Sequence, residues 1–188
     1  MSDRSLRLVE PASAPDPDTT ALVRIAQGNL QELGALYERH APSLLRFARH
    51  VVGDSAAEDL VQSTFIKAAE RAHTYDGRSS SARAWLFGIA GRLAQERRRA
   101  LGRFARALVR FAAGSDEEPT TPVVPERSDL LRGLSGLSEH KRVVLLLSEV
   151  EGFTAVEIAE MLQVPVGTVW TRLHHARREL RAFYGDQA

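Results

Sequence analysis

The sequence predicts an all-α protein of two small helical domains joined by a flexible linker. Three observations carry that prediction. Apolar residues recur at spacings of three and four through most of the chain, no long stretch alternates with a period of two, and a proline-rich acidic segment interrupts the helical pattern past the middle.

The first 20 residues, rich in Pro, Asp, Ser and Ala, can bury little and are expected to be a disordered tail (1–20). From Ala21 the pattern becomes helical. Leu22, Ile25, Leu33, Leu36, Tyr37, Leu44, Leu45 and Val52 fall at helical spacings, with "QGN" and "AP" read as interruptions. Ser55 and Glu58, three apart, form a candidate capping box before a helix through "SAAEDLVQSTFIKAAERAHTYD". A further helix carries Trp85, Leu86, Ile89, Ala90 and Leu93, which completes a first domain over 21–99.

Residues 100–127 are expected to be a linker that opens with a basic amphipathic helix. Leu101, Phe104, Leu108 and Phe111 make its apolar stripe, with Arg103, Arg106 and Arg110 off it, before "GSDEEPTTPVVPER" breaks the pattern. A second helical domain follows over 128–184, with Ser138 as an N-cap candidate and Gly152 as a helix stop.

Composition limits the function. At 188 residues and 44% hydrophobic the chain can build real cores, and its net charge of +1 means that nucleic-acid contact must rest on local clusters. There is no cysteine, which excludes disulfides and thiolate metal sites. No apolar segment has the length of a signal-peptide core or a membrane helix, so a cytoplasmic protein without membrane insertion is expected.

The chemistry concentrates in the second domain. In "FTAVEIAEML", Thr154 and Glu157 form a capping box, and after a short turn comes "VPVGTVWTRLHHARREL". This helix, turn, helix unit is the kind that lays its second helix in the DNA major groove. At about 100° per residue, Val169, Leu173, Ala176 and Leu180 share one face to within about 40°. Opposite them stand Gly167, Thr171, His174 and Arg178, flanked by Trp170 and Arg181 on one side and His175 on the other. Small residues in the first turn, Pro165, Gly167 and Thr168, let a phosphate approach the free backbone N–H groups. Thr171, His174 and Arg178 suit base edges, whereas Arg172, Arg177 and Arg181 suit phosphates.

Other chemistries lack their parts. His174 and His175 diverge by about 100° on a helix and no ligand at i+3 or i+4 completes a metal site. With no nucleophile elbow or Gly-rich phosphate loop either, the chain is expected to be no enzyme and to need no metal or cofactor.

"EGFTAVEIAEMLQVPVGTVWTRLHHARREL" is similar to the promoter-binding region 4 of extracytoplasmic-function sigma factors of bacterial RNA polymerase. "AAEDLVQSTFIKAAERA" and "RAWLFGIAGRL" resemble their region 2, in the family's order and on the other side of the linker. The resemblance implies a protein that binds core RNA polymerase, through the β′ clamp and the β flap, and directs it to promoters. It implies that Glu58, Asp59 and Gln62 grip the β′ clamp, Asp59 and Gln62 matching the family's motif.

It also implies that the loop before the Trp helix, Gly77, Arg78, Ser79, Ser80 and Ser81, catches an unstacked base of single-stranded non-template DNA at the minus-ten element. Arg83, Arg92, Arg97, Arg98 and Arg99 would hold phosphates there. Gly167, Thr168, Trp170, Thr171, Arg172, His174, His175 and Arg178 would read double-stranded DNA at the minus-thirty-five element. An anti-sigma factor is a further implied partner.

The chain departs from the family at four positions. Arg92 and Glu96 replace the usual Asn and Asp, Gln163 stands where Gly is usual in the turn, and Trp170 replaces a basic or small residue. A conventional helix-turn-helix regulator is the competing binding function, and would need a dimerisation or ligand domain in place of the "EDLVQ" helix. A recombinase would need a catalytic Ser or Tyr in a domain with strands.

Overall fold

The computed structural model describes residues 16–77, 81–111 and 129–185, with side chains described over 16–77, 81–103 and 132–185. Among these residues the architecture is entirely helical. The helices are α1 (Pro17–Ala26), α2 (Glu32–Val52), α3 (Asp54–Arg71), α4 (Ala82–Phe111), α5 (Asp129–Gly136), α6 (Glu139–Glu149), α7 (Ala155–Leu162) and α8 (Val166–Gly185), with a 3-10 turn at Ala72–Thr74.

The first domain packs α1 to α4 around Leu22, Leu36, Leu44, Phe47, Leu86, Phe87 and Ile89, all buried. The chain enters it earlier than its composition implied. α1 begins at Pro17, inside the stretch expected to be a tail, because the Asp16 carboxylate caps the N–H groups of Asp18 and Thr19, and Asp18 in turn meets Arg39 and His40, each at 2.6 Å.

Two local expectations are corrected. "AP" does not interrupt a helix, since α2 runs unbroken through Pro42, whose ring stands on the exposed face. Proline costs α2 one backbone hydrogen bond, and the buried stripe of Leu36, Leu44, Phe47 and Val51 outweighs that cost. Nor do Ser55 and Glu58 form a capping box. α3 starts at Asp54, directly after Gly53 at φ 86°, so Ser55 is already inside the first turn and no side chain caps the helix.

The second domain follows its expected pattern closely. Val169, Leu173 and Ala176 are buried and Leu180 packs against the core. Thr154 and Glu157 make the full reciprocal capping box of α7. Ser138 occupies the N-cap of α6 without a side-chain hydrogen bond, and Gly152 takes φ 76° in the turn that follows α6. Gln163 closes α7 at φ 55° and ψ 48°, left-handed backbone that costs a residue with a Cβ of order 1 kcal/mol.

α4 runs continuously from the first domain to Phe111, so the amphipathic segment extends the Trp helix. The Leu101 side chain is exposed, while Phe104, Leu108 and Phe111 lie outside the described side chains. The two domains touch. α7 lies across α4 between Gly88 and Arg92, and α6 meets the ends of α2 and α4.

Candidate polymerase and promoter interfaces

Three surfaces carry the expected site residues. The first is a groove between α2 and α3, of about 750 Å³ and lined by Tyr37, Glu38, Ala41, Pro42, Leu45, Glu58, Val61 and Gln62. Leu60, Thr64, Phe65 and Ala68 turn into the core, which leaves Glu58 and Gln62, one helical turn apart, on its wall. Asp59 lies about 100° around α3 from Glu58 and points away, 3.9 Å from Arg97 of α4.

The sequence reading placed Tyr37 and Leu45 among the apolar residues at helical spacings and missed the groove. α2 carries a second apolar stripe beside its buried one, and Tyr37, half exposed at 48% while its ring meets that of Phe65 at a tilt with centroids 4.8 Å apart, belongs to that second stripe. Two stripes on one helix were the available signal.

The second surface surrounds the N-terminus of α4. Gly77 holds φ 67°, and a Cβ there would stand 3.1 Å from Thr19 Cγ2, so α1 presses on the loop from below. Tyr75 links the parts, with its hydroxyl 3.2 Å from Thr19 Oγ1 and its ring 5.4 Å from that of Trp85. Ser81 caps α4 by accepting the N–H of Ala84 at 3.1 Å. Arg78, Ser79 and Ser80 lie outside the described residues.

The cations of α4 point to several partners. Arg83 donates to the Glu151 carboxylate at 2.5 Å and to its carbonyl at 3.2 Å, and its guanidinium stacks over Phe153 at 4.5 Å. Arg92 donates to the Met161 carbonyl at the end of α7. Burial depresses the Arg92 guanidinium, and Arg71 beside it adds to the effect. A cleft of about 340 Å³ lies here, between Arg71, Thr74, Trp85 and Arg92 of the first domain and Glu160, Met161 and Gln163 of the second. Sequence reasoning missed Arg71 and Thr74, which come from the preceding helix and turn and carry no periodic signal toward α4. Arg97, Arg98 and Arg99 are exposed.

The third surface is the outward face of α8. Gly167, Trp170, Thr171, His174 and Arg178 are exposed, Trp170 at 58%. Nothing stands within 4 Å of a Cβ built at Gly167, so the first turn is open to a phosphate. The Thr171 hydroxyl donates to the Gly167 carbonyl at 2.9 Å, which orients its methyl group and spare lone pairs outward. Thr168 and His175 are half-buried, the His175 ring 5.6 Å from that of His174. Arg177 pairs with Glu149 at 2.5 Å. Arg172 is drawn inward to the seam between domains, where burial, and after it Arg99, lowers the pKa of its guanidinium.

Among the described residues no group of three His, Asp or Glu side chains could hold a metal ion, and no helix is long and apolar enough to cross a membrane.

Comparison with known proteins matches the two helical domains to two family models. Residues 36–104 match Sigma-70 region 2, and residues 127–180 match Sigma-70, region 4. The chain is 35% identical over 152 residues to the ECF RNA polymerase sigma factor SigL of Mycobacterium tuberculosis, which covers 78% of this chain and 85% of that protein. It is 30% identical to the RNA polymerase sigma factor CarQ of Myxococcus xanthus, over 87% of this chain and 95% of CarQ. Among solved structures, CnrH in complex with the cytosolic domain of CnrY superposes with a TM-score of 0.64 at 26% identity, covering 92% of this chain and 100% of that one. The sigma factor RpoE from Bartonella quintana shares the fold, with a TM-score of 0.62 at 24% identity over 82% of this chain and 98% of RpoE. Two domains of the same order, matched over most of both chains, place this protein among the extracytoplasmic-function sigma factors of RNA polymerase.

Proposed function

We propose that the chain binds core RNA polymerase, directs it to promoters and helps open the DNA. The observation that carries this reading is the combination of a groove walled by Glu58 and Gln62 on one domain with an open, hydrogen-bonding recognition face on the other. A conventional regulator would leave the groove without a task. In this reading the groove takes the β′ clamp, and a second apolar cavity of about 400 Å³, lined by Leu134, Leu145, Leu146, Val150 and Leu180, takes the β flap.

The roles within the two DNA surfaces follow from their chemistry. Gly167 and Thr168 admit a phosphate, Trp170, Thr171, His174 and Arg178 meet base edges and thymine methyls, and Arg172 and His175 flank them. In region 2, Gly77 to Ser81 receive an unstacked base while Arg83, Arg92 and Arg97 hold the strand. The protein acts in the cytoplasm, without catalysis or cofactor of its own. CnrH was solved with CnrY, and RpoE with the anti-sigma factor NepR, and by analogy we assign an anti-sigma partner to this chain.

The test is reconstitution with core polymerase. Wild-type protein should bind core and support transcription from a cognate promoter. Glu58→Ala with Gln62→Ala should weaken core binding while stability changes by less than about 0.5 kcal/mol, because both side chains are exposed. Unaltered core affinity in the double variant would remove the clamp assignment.

A further inference from the structure

Helix α1 precedes the residues matched to Sigma-70 region 2, and no motif in the sequence gives it a task. Its apolar side, Ala21, Leu22 and Ile25, is buried in the first domain. Its polar contacts reach in two directions. Asp18, whose side chain is 15% exposed, accepts from the Arg39 guanidinium of α2 and meets Nε2 of the buried His40, each at 2.6 Å. Thr19, the next residue, faces Tyr75 and Gly77 instead.

Thr19 donates its hydroxyl proton to the Asp16 carboxylate at 3.2 Å, so in its pair with Tyr75, also at 3.2 Å, the tyrosine is the donor. The result is a relay from Tyr75 through Thr19 to the acid that caps α1, in which each bond polarises the next. The Tyr75 ring meets that of Trp85, on the first turn of α4, with centroids 5.4 Å apart. Two residues after Tyr75, Gly77 holds φ 67°, a conformation that glycine takes readily and leaves as readily. The Thr19 methyl closes one side of it, standing 3.1 Å from where a Cβ of Gly77 would be. One threonine therefore touches both residues that lead into the minus-ten loop, Tyr75 with its hydroxyl and Gly77 with its methyl.

A loop that captures an unstacked base works best when its course is set beforehand, because ordering it at the moment of capture adds an entropic cost to the cost of unstacking. We propose that α1 is a brace for promoter opening, in which Asp18 fastens the helix to α2 and Thr19 positions Tyr75 and Gly77 at the entry to the minus-ten loop. The proposal rests on the sigma-factor reading above. Thr19 is a positioning residue that acts through Tyr75 and Gly77. Covering the core, the other role open to α1, needs Leu22 and Ile25 and makes no use of the Thr19 hydroxyl.

The test uses the full chain bound to core polymerase on a duplex promoter that carries a fluorescent adenine analogue in the minus-ten element, bright when its base unstacks. Thr19→Val keeps the shape of the side chain and removes the hydroxyl, and Tyr75→Phe removes the other half of the pair. Each should slow opening about fivefold, the net strength of about one hydrogen bond, and the double variant should be no slower than either single one. Thr19→Ser, which keeps the hydroxyl, should recover most of the rate. Core affinity should be unchanged in all of them, since the α2 and α3 groove lies elsewhere, and so should initiation from a premelted promoter, which needs no unstacking.

Gly77→Ala adds a steric check. Its methyl would press on Thr19 Cγ2, so opening should slow, and Thr19→Ser in the same chain should restore part of the rate while the strain of positive φ remains. Opening at the wild-type rate in Thr19→Val, additive losses in the double variant, or core affinity that falls in step with opening would overturn the brace. Failure of the wild-type chain to bind core is a separate outcome, read before any variant, and would sink the sigma-factor reading and the brace with it.

Discussion

The recognition helix α8 and the Trp helix α4 are built from the same kinds of residue and meet different fates. Each is a long basic amphipathic helix with one tryptophan. On α8, Trp170 is 58% exposed and Thr171, His174 and Arg178 are exposed on the outward face. On α4, Trp85 is half-buried against Tyr75, and Arg83 and Arg92 are engaged by region 4. Periodicity identifies the face that a helix buries in its own domain, and a second neighbour on the opposite face leaves no period to detect. The glycines at 88 and 91, which the sequence reading did not single out, were the trace of that neighbour.

The largest expected effect tests whether the two helices share one cooperative unit. Phe87 is fully buried, with its ring 5.4 Å from Phe47 of region 2 and 5.6 Å from Phe153 of region 4. Phe87→Ala should cost about 3 to 5 kcal/mol in chemical denaturation. If the seam couples the domains, near-ultraviolet signals from Trp85 and Trp170 should shift together. Separate transitions, with Trp170 unaffected, would break the comparison by making α4 and α8 independent.

Next in size is the split between base readout and phosphate contact on α8. His174→Ala or Thr171→Ala should change promoter preference by about 1 to 3 kcal/mol in competition binding, whereas Arg177→Ala should weaken all promoters alike and reduce the salt slope. Arg177 is held by Glu149 in the docked form, so its loss also frees that acid. Equal losses on matched and mismatched DNA for every variant would remove direct readout from the exposed face.

Smaller again is the cap that aims α7 at the seam. Thr154 accepts the Glu157 N–H at 3.3 Å while the Glu157 carboxylate accepts from the Thr154 N–H at 2.7 Å and its hydroxyl at 2.8 Å. Thr154→Ala should cost about 1 kcal/mol by thermal unfolding. The backbone hydrogen bond from Thr154, then its hydroxyl, lower the Glu157 carboxyl. Its folded value lies below the unfolded one, so its contribution is complete above the ordinary carboxylate range, about 4.3, and fades as pH falls through the folded value. Glu157→Gln should flatten that acid limb.

The smallest effect sharpens the comparison at the seam itself. Burial lowers the His140 imidazole first, and Arg172, Arg99 and Arg98 add to it, with Glu139 adjacent in the chain. Burial likewise raises the Glu139 carboxyl against the pull of Arg98 and Arg142. For His140 the folded state prefers the neutral ring, so the unfolded or undocked state takes up the proton first as pH drops below about 6.5. Stability should therefore rise with pH across that range, and His140→Gln should remove the slope. A slope that survives the substitution would place the titrating group elsewhere.

The sequence by itself determined whatever depends on neighbours within about one helical turn. The buried stripe Val169, Leu173 and Ala176 and the Thr154 and Glu157 box are both legible, because i, i+3 and i+4 relations are set by helix geometry alone. The left-handed backbone at Gln163 was signalled only by the family resemblance, which usually has Gly in that turn, and not by local spacing. Even locally there were limits. Whether Pro42 ends a helix depended on which face met the core, and whether Ser55 capped α3 depended on a start one residue earlier. Only the tertiary structure decided that Arg83 meets Glu151 and Arg92 meets Met161, partners 68 and 69 residues away. No local pattern encodes such pairs, because they are selected by the shape of two finished surfaces, here the glycine notches of α4 and the end of α7 that fits them.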